Sequence, residues 1–168
     1  MKKVLTALVA SSVIITGVSA TNAHAASESS EISIEQLVHP KSTLEGVDIG
    51  MPIQVVLDNN IKPIYSHSVD GTVHYYEFRK DNGLLIVTTD GEKDKGKVTK
   101  VSMSYNNLNG PSFEDLKNNV SNNATVHISY NKINGNWAYI EDGKVSYQFK
   151  SDSPDNKELK LYRIDISQ

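Results

Sequence analysis

The sequence predicts an α+β protein, with one antiparallel sheet of about six to eight strands and short helices on one of its faces. Three observations predict this class. A short amphipathic helix pattern occurs twice. Each copy is followed by stretches of alternating apolar and polar residues, which are typical of strands. The dipeptides Asn82-Gly83 and Asp142-Gly143 then separate two pairs of these stretches as hairpin turns. We interpret the chain as two tandem helix–hairpin–strand repeats, at about residues 46–105 and 110–166.

The first 25 residues have the composition of an export signal. Lys2 and Lys3 precede an apolar run over residues 4–18, and Ala23-His24-Ala25 matches an A-x-A cleavage pattern. The run is shorter than the about 20 residues of a membrane span. We therefore expect a secreted, extracellular protein without a membrane anchor. Export without cysteine is common among Gram-positive secreted proteins.

Behind this signal the chain divides into a leader and a domain. Residues 26–43 begin as a Ser- and Glu-rich flexible tail and continue into a short helix pattern, which Ser33 caps and Pro40 ends. Residues 44–168 hold both repeats. Because a unit of about 60 residues buries little surface, we expect the two repeats to pair edge to edge in one domain.

The composition disfavours several classes of function. The formal net charge of −3 becomes −5 once the two lysines of the signal are removed, which argues against nucleic acid as the main partner. The chain has no cysteine, so a Cys nucleophile, a Cys metal site and disulfides are excluded. It also has no G-x-S-x-G, H-E-x-x-H, P-loop or Rossmann motif. We expect a protein that is not an enzyme, with no catalytic residue and no cofactor.

Each repeat opens with a short helix. Over residues 50–61 Pro52 suits the first turn, and over residues 111–120 Ser112 is the N-cap with Asp115 three residues later. Helices of this length are not stable alone, so their apolar stripes must pack on the sheet. The two stripes are Ile53, Val56 and Leu57, and Phe113, Leu116 and Val120.

The turn dipeptides predict the strand registers. A two-residue loop at Asn82-Gly83 places Phe78 opposite Val87, and one at Asp142-Gly143 places Ile140 opposite Val145. Alternation then assigns one face to the helices. Its predicted members are Tyr76, Phe78, Leu85, Val87, Ala138, Ile140, Val145, Tyr147 and Phe149, with Val101, Met103, Tyr105, Tyr162, Ile164 and Ile166 from the last strand of each repeat.

The opposite sheet face carries the candidate binding site. Its predicted members are Tyr75, Glu77, Arg79, Trp137 and Tyr139. Rigid aromatic side chains beside an arginine are typical of protein-binding surfaces. The alternative is that these aromatics only support their own cross-strand pairs, and the surroundings of Trp137 decide between the two. We expect a monomer that binds an unidentified protein, with host proteins among the candidates.

Two other groups suggest different chemistry. His67 and His74 would face each other across a turn at Asp70-Gly71, within reach of one metal ion, but a zinc site needs at least a third ligand and none is evident. We therefore assign no metal site. A lysine strip, formed by Lys93, Lys95, Lys97 and Lys100, supports the alternative function, which is binding of an extracellular polyanion such as nucleic acid or a glycan.

Two segments carry a resemblance to known families. Residues 44–51, Leu-Glu-Gly-Val-Asp-Ile-Gly-Met, precede the first helix, and residues 96–101, Gly-Lys-Val-Thr-Lys-Val, lead into the last strand of the first repeat. This pattern resembles the helix–hairpin unit of the beta-lactamase inhibitory protein type and its outer-membrane lipoprotein relatives. The export signal and size resemble small secreted staphylococcal proteins of the immunodominant staphylococcal antigen B type. The resemblance covers about residues 44–166 and implies a tandem-repeat binding or inhibitor-like module.

Overall fold

The computed structural model describes residues 43–168 of the protein. The predicted export signal and the short helix capped by Ser33 lie outside these residues. The described elements are β1 (Thr43–Leu44), β2 (Val47–Asp48), α1 (Ile53–Asp58), β3 (Ile64–His67), β4 (Val73–Lys80), β5 (Gly83–Asp90), β6 (Val98–Tyr105), α2 (Phe113–Lys117), β7 (Thr125–Ser129), β8 (Trp137–Asp142), β9 (Val145–Lys150) and β10 (Lys160–Ser167).

Eight of the strands form one antiparallel sheet in the order β3-β4-β5-β6-β10-β9-β8-β7. Together with the two short helices, this sheet confirms the predicted α+β class. The prediction of a single sheet is wrong, because β1 and β2 pair separately as a two-stranded sheet. Glu45 and Gly46 both have positive φ, which is the backbone conformation that a tight hairpin turn requires.

Both helices begin where their capping residues predict. Pro52 precedes α1 in an extended conformation, and α1 ends at Asp58, so it is shorter than predicted. At α2 the capping box is present: the Ser112 hydroxyl accepts a hydrogen bond from the Asp115 amide at 3.2 Å. The Asp115 carboxylate in turn accepts one from the Ser112 amide at 3.4 Å.

The hydrophobic core lies between the helices and one face of the sheet. All nine residues predicted for that face in the two hairpins are buried. They belong to one hydrophobic cluster with Ile53 and Val56 of α1 and Phe113 and Leu116 of α2. Phe113 packs edge-on against Phe149, with 5.5 Å between ring centroids. This arrangement leaves the opposite side of the sheet without a helix in the described part of the chain.

The first hairpin has a different register from the predicted one. Phe78 pairs with Leu85 and Lys80 pairs with Gly83, so the loop is Asp81-Asn82 and not Asn82-Gly83. Gly83 lies in β5, where a Cβ would stand 2.0 Å from the Ser104 carbonyl oxygen. Strand β6 approaches so closely at this position that only glycine, which has no Cβ, fits there. The shift is two residues, so every side chain keeps its predicted face.

The second hairpin is also shifted by two residues. Ile140 pairs with Tyr147 and Asp142 pairs with Val145, so the loop is Gly143-Lys144. Gly143 has a φ of 62°, so the glycine takes the first loop position and not the predicted second one. Again the face assignments are unchanged.

Two β-bulges break the alternation of the central strands. Register shifts leave Thr99 of β6 and Tyr162 of β10 without a partner residue. After the bulge in β10, Ile164 and Ile166 face the core as predicted, but Leu161 is the buried residue before it and Tyr162 is not. The assignment of Tyr162 to the apolar face is therefore wrong, because the sequence pattern takes no account of the extra residue.

Candidate functional site

The candidate site is the sheet face that points away from the helices, which we call the open face. Cross-strand pairing places all five predicted residues on it. Its side chains come from all eight strands and include Tyr75, Glu77, Arg79, Ile86, Lys100, Ser102, His127, Trp137, Tyr139, Glu141, Ser146, Gln148, Arg163 and Asp165.

The five predicted residues divide into two separate groups on this face. Tyr75, Glu77 and Arg79 lie on β4, whereas Trp137 and Tyr139 lie on β8. Four strands stand between β4 and β8 in the sheet. At a strand spacing of about 4.8 Å, the two groups are about 24 Å apart. The structure therefore does not bring them together in one compact site.

A stack of three rings occupies the β7–β8 end of the open face, and we call it the aromatic platform: His127, Trp137 and Tyr139. The His127 ring stacks on Trp137 at 5.1 Å and on Tyr139 at 5.4 Å between centroids. The Trp137 and Tyr139 rings are 6.2 Å apart and nearly parallel, at 10°. Trp137 remains 39% exposed. The platform is thus an accessible aromatic cluster held by cross-strand stacking.

His127 was not among the predicted residues. It belongs to the alternating stretch Thr125–Ser129, which becomes β7 and pairs His127 with Tyr139. Alternation in that stretch was the available signal. It could not be used without knowing that β7 lies beside β8.

A shallow depression of about 270 Å³ adjoins the platform. Trp137, Tyr139, Glu141, Ser146, Gln148 and Tyr162 contribute to its lining. The Tyr162 hydroxyl donates a hydrogen bond to Gln148 Oε1 at 2.9 Å, and Gln148 Nε2 donates to Asp165 Oδ2 at 2.9 Å. The bulge that turns Tyr162 outward therefore supplies one wall of this depression.

A charged group occupies the centre of the open face. The Asp165 carboxylate is only 9% exposed and lies 2.9 Å from Arg163 Nη2 and 3.6 Å from Lys100 Nζ. Burial raises the pKa of Asp165, but hydrogen bonds from Arg163 and Ser102 and the charges of Arg163 and Lys100 outweigh it, so the pKa lies below its ordinary value. The centre is therefore a compensated ion pair and not a free charge.

The β4 end of the open face has a different character. Tyr75 lies between Ser66 and Thr88, and Glu77 lies between Ile64 and Ile86. Arg79 is exposed and pairs across the strands with Leu84. Among residues 43–168 no ion pair involves Glu77 or Arg79, so this end offers separate polar groups around Ile86 and no stacked surface.

His67 and His74 are cross-strand partners, as predicted. The turn differs, because the Gly71 amide bonds to the Ser68 carbonyl oxygen and the loop is longer than Asp70-Gly71. His74 is buried, with Nδ1 2.8 Å from the Tyr65 hydroxyl and Nε2 2.9 Å from the Gly91 carbonyl oxygen. Both ring nitrogens of His74 are therefore engaged in hydrogen bonds. In addition, the described chain contains no cluster of three or more metal-ligating side chains.

The four lysines of the predicted strip do not form one surface. Lys93, Lys95 and Lys97 lie in the loop between β5 and β6, whereas Lys100 lies on the open face. Lys95 pairs with Glu92 at 2.8 Å, and Lys93 stands 4.0 Å from Asp94. Three of the four ammonium groups, including Lys100, therefore have a carboxylate beside them.

Within residues 43–168 no helix has the length and apolar character needed to cross a membrane.

Comparisons with known proteins show a family and a likeness among solved structures. A family model described as SA0570-like matches residues 1–167. Among solved structures, the fold is similar to a cysteine-rich secretory protein from Staphylococcus aureus subsp. aureus Mu50, with 16% identity and a TM-score of 0.44. The match covers 71% of this chain and 44% of that chain, so it spans less than half of that protein. No curated protein matches the sequence.

Proposed function

The chain belongs to the SA0570-like family, and we propose that it is a secreted, non-enzymatic binding module that engages a protein partner through the open face. The observation that carries this proposal is the aromatic platform. Three rings are stacked in contact with one another while Trp137 stays 39% exposed. The export signal predicted for residues 1–25 supports a site of action outside the cell.

The platform has the physical properties of an interface anchor. Tryptophan and tyrosine supply large contact areas and lose little conformational entropy on binding, since each has only two side-chain torsions. Stacking on His127 already holds both rings in place, so a partner meets a preorganised surface. The adjacent depression adds polar groups, among them Glu141 and Gln148, that can orient a ligand.

We also propose that the two halves of the domain are tandem copies of one unit, of the kind found in the beta-lactamase inhibitory protein type. Each helix is followed by four strands, and the two sets meet at β6 and β10. The bulges at Thr99 and Tyr162 lie at matching places, near the start of those strands. Ser102 and Asp165, three residues beyond each bulge, face each other across the centre. These features support a two-fold relation between the halves.

The test is capture of proteins from host plasma and neutrophil extract by immobilised protein comprising residues 26–168. The double variant Trp137→Ala/Tyr139→Ala is compared with a control, Tyr75→Ala/Arg79→Ala, at the other end of the same face. We expect wild type and the control to capture the same partner and the platform variant to lose it. Its thermal midpoint should stay within a few degrees of wild type, because both side chains are partly exposed.

Other outcomes would point elsewhere. Loss of capture by the Tyr75/Arg79 variant alone would move the site to the β4 end. A large fall in thermal stability of the platform variant would mean that the rings serve the fold. Capture that is unaffected by both variants but falls steeply with salt would support the polyanion alternative through the lysines.

A further inference from the structure

Strand β7 forms one edge of the eight-stranded sheet. It pairs with β8 on one side, and no strand of the described chain lies on its other side. Residues 125–128 are exposed, and Val126 and Ile128 remain 38% and 37% accessible although both point toward the helix side of the sheet. A row of backbone donors and acceptors therefore faces outward beside two β-branched apolar side chains.

Edge strands of this kind pair readily with another chain, and most proteins protect them with lysine, proline, a bulge or a covering segment. The opposite edge, β3, has such protection. Lys62 and Pro63 directly precede it, and the Lys93 ammonium lies 4.6 Å from the Tyr65 ring centroid. The residues of both edge strands, Thr-Val-His-Ile-Ser in β7 and Ile-Tyr-Ser-His in β3, contain no charged residue, proline or glycine, so the difference lies in what adjoins them. No proline or lysine directly precedes β7, and its nearest lysine contact is Lys157, 5.9 Å from the ring of Tyr130 just beyond the end of the strand. This edge is open to strand addition, and the other is guarded.

We infer that β7 pairs antiparallel with β7 of a second copy of this chain, with His127 on the two-fold axis. Residues that pair across antiparallel strands must share a face. With His127 opposite itself, Val126 meets Ile128 of the second copy and Thr125 meets Ser129, so all five residues pair. A register centred on Val126 would place Ile128 opposite Ala124, outside the strand.

The strand is self-complementary in chemistry as well as in length. The Val126–Ile128 contacts occur twice and cover the exposed apolar surface on the helix side. Because β7 has no charged side chain, no like charges are brought together. A foreign peptide could form the same backbone hydrogen bonds, but it would make both apolar contacts only if its own sequence had apolar residues at those two positions. A second copy of this chain has them already.

This dimer joins two eight-stranded sheets and places the two aromatic platforms side by side on one surface. It is an alternative to the monomer expected from the sequence. The inference does not depend on the proposed function, since pairing is measured with no ligand present.

Cross-linking tests the register directly. The chain has no cysteine, so His127→Cys introduces a single thiol. Opposed residues in antiparallel strands have Cα atoms about 4.5 to 5.5 Å apart, which is within the range of a disulfide. We expect His127→Cys to form a covalent dimer rapidly under mild oxidation. Ser66→Cys on the guarded edge and Thr125→Cys, two residues from the axis, should cross-link far more slowly. Equal rates for the three variants would overturn the proposal.

Sedimentation velocity gives an independent measurement. Wild-type protein of residues 26–168 should shift from monomer to dimer as its concentration rises from micromolar to submillimolar. Ile128→Lys places a charge on the β7 edge and should raise the dimer dissociation constant by about tenfold or more. The matched change Ile64→Lys on β3 should leave it unchanged. A wild type that stays monomeric throughout, or an equal effect of the two lysines, would contradict the dimer. Circular dichroism confirms that both variants fold.

Discussion

Asp165 shows how a single residue links stability to pH in this protein. Its carboxylate lies among Arg163, Lys100, Ser102 and Gln148, and its pKa lies below the ordinary value. Because the unfolded pKa of aspartate is about 3.9, the ionised group stabilises the fold above that pH. The stabilisation is lost as the pH falls through the lower, folded-state pKa.

Replacement of Asp165 by Asn should therefore destabilise the protein at neutral pH and matter less in acid. We expect a loss of about 1 to 3 kcal/mol at pH 7, because Arg163 and Lys100 lose their partner. Urea unfolding of wild type and variant between pH 7 and pH 3 measures the difference. Glu141→Gln, which changes an exposed carboxylate of the same face, is the control. A difference that stays constant down to pH 3 would argue against a titrating ion pair.

At the scale of elements, the two helices begin differently. Helix α2 has a complete capping box, whereas no side chain caps α1 at Pro52. The Ser112 hydroxyl also donates a hydrogen bond to the Asp115 carboxylate at 2.6 Å, and this bond holds the pKa of Asp115 below its usual range.

Ser112→Ala should lower the free energy of unfolding by about 1 kcal/mol, the usual effect of losing an N-cap. Ser66→Ala, an exposed serine on an edge strand, should have almost no effect. The variant should also let the pKa of Asp115 rise toward its ordinary value, which NMR titration detects. An unchanged unfolding midpoint in urea would mean that tertiary packing of Phe113 and Leu116 alone holds this helix.

The elements also show what the sequence can predict and where the pattern fails. Caps depend on neighbouring residues, so Ser112 with Asp115 was sufficient to place α2. Alternation assigned both hairpins to the correct faces, because a two-residue slip does not change a side chain's side. The registers were wrong because Gly83 serves close packing against β6 and Gly143 takes another turn position. The bulges have no local signature in the sequence.

At the scale of the whole molecule, one hydrophobic cluster includes residues from both helices and from strands in both halves of the chain. The β6–β10 pairing joins the first four strands of the large sheet to the last four. A cluster shared in this way predicts that the two halves unfold together.

Trp137 is the only tryptophan of the chain and lies in β8, so its fluorescence reports on the second half. Far-UV circular dichroism reports on the whole sheet. We expect the two signals to give the same urea midpoint and the same slope. An earlier transition seen by fluorescence alone would show that the second half unfolds independently.

Strand order is also a property of the whole molecule. It explains why the five predicted binding residues lie in two separate groups. Tyr75 and Trp137 share a face, as alternation indicates, but β6 and β10 form the centre of the sheet and place β4 and β8 far apart. Which strands meet depends on contacts between distant segments. No local pattern in either hairpin contains that information.

The bulges at Thr99 and Tyr162 also change which residues of their strands point to each side of the sheet. Each inserts one residue that reverses the in-and-out phase of its strand, so Leu161 and Ile164 can both be buried although they are three positions apart. A chain that lost Tyr162 would place Leu161 directly before Arg163 and keep Leu161 on the core side, but the open face would lose the ring that lines the depression beside the aromatic platform. The length of these central strands, and not only their composition, therefore determines which surface the protein presents to a partner.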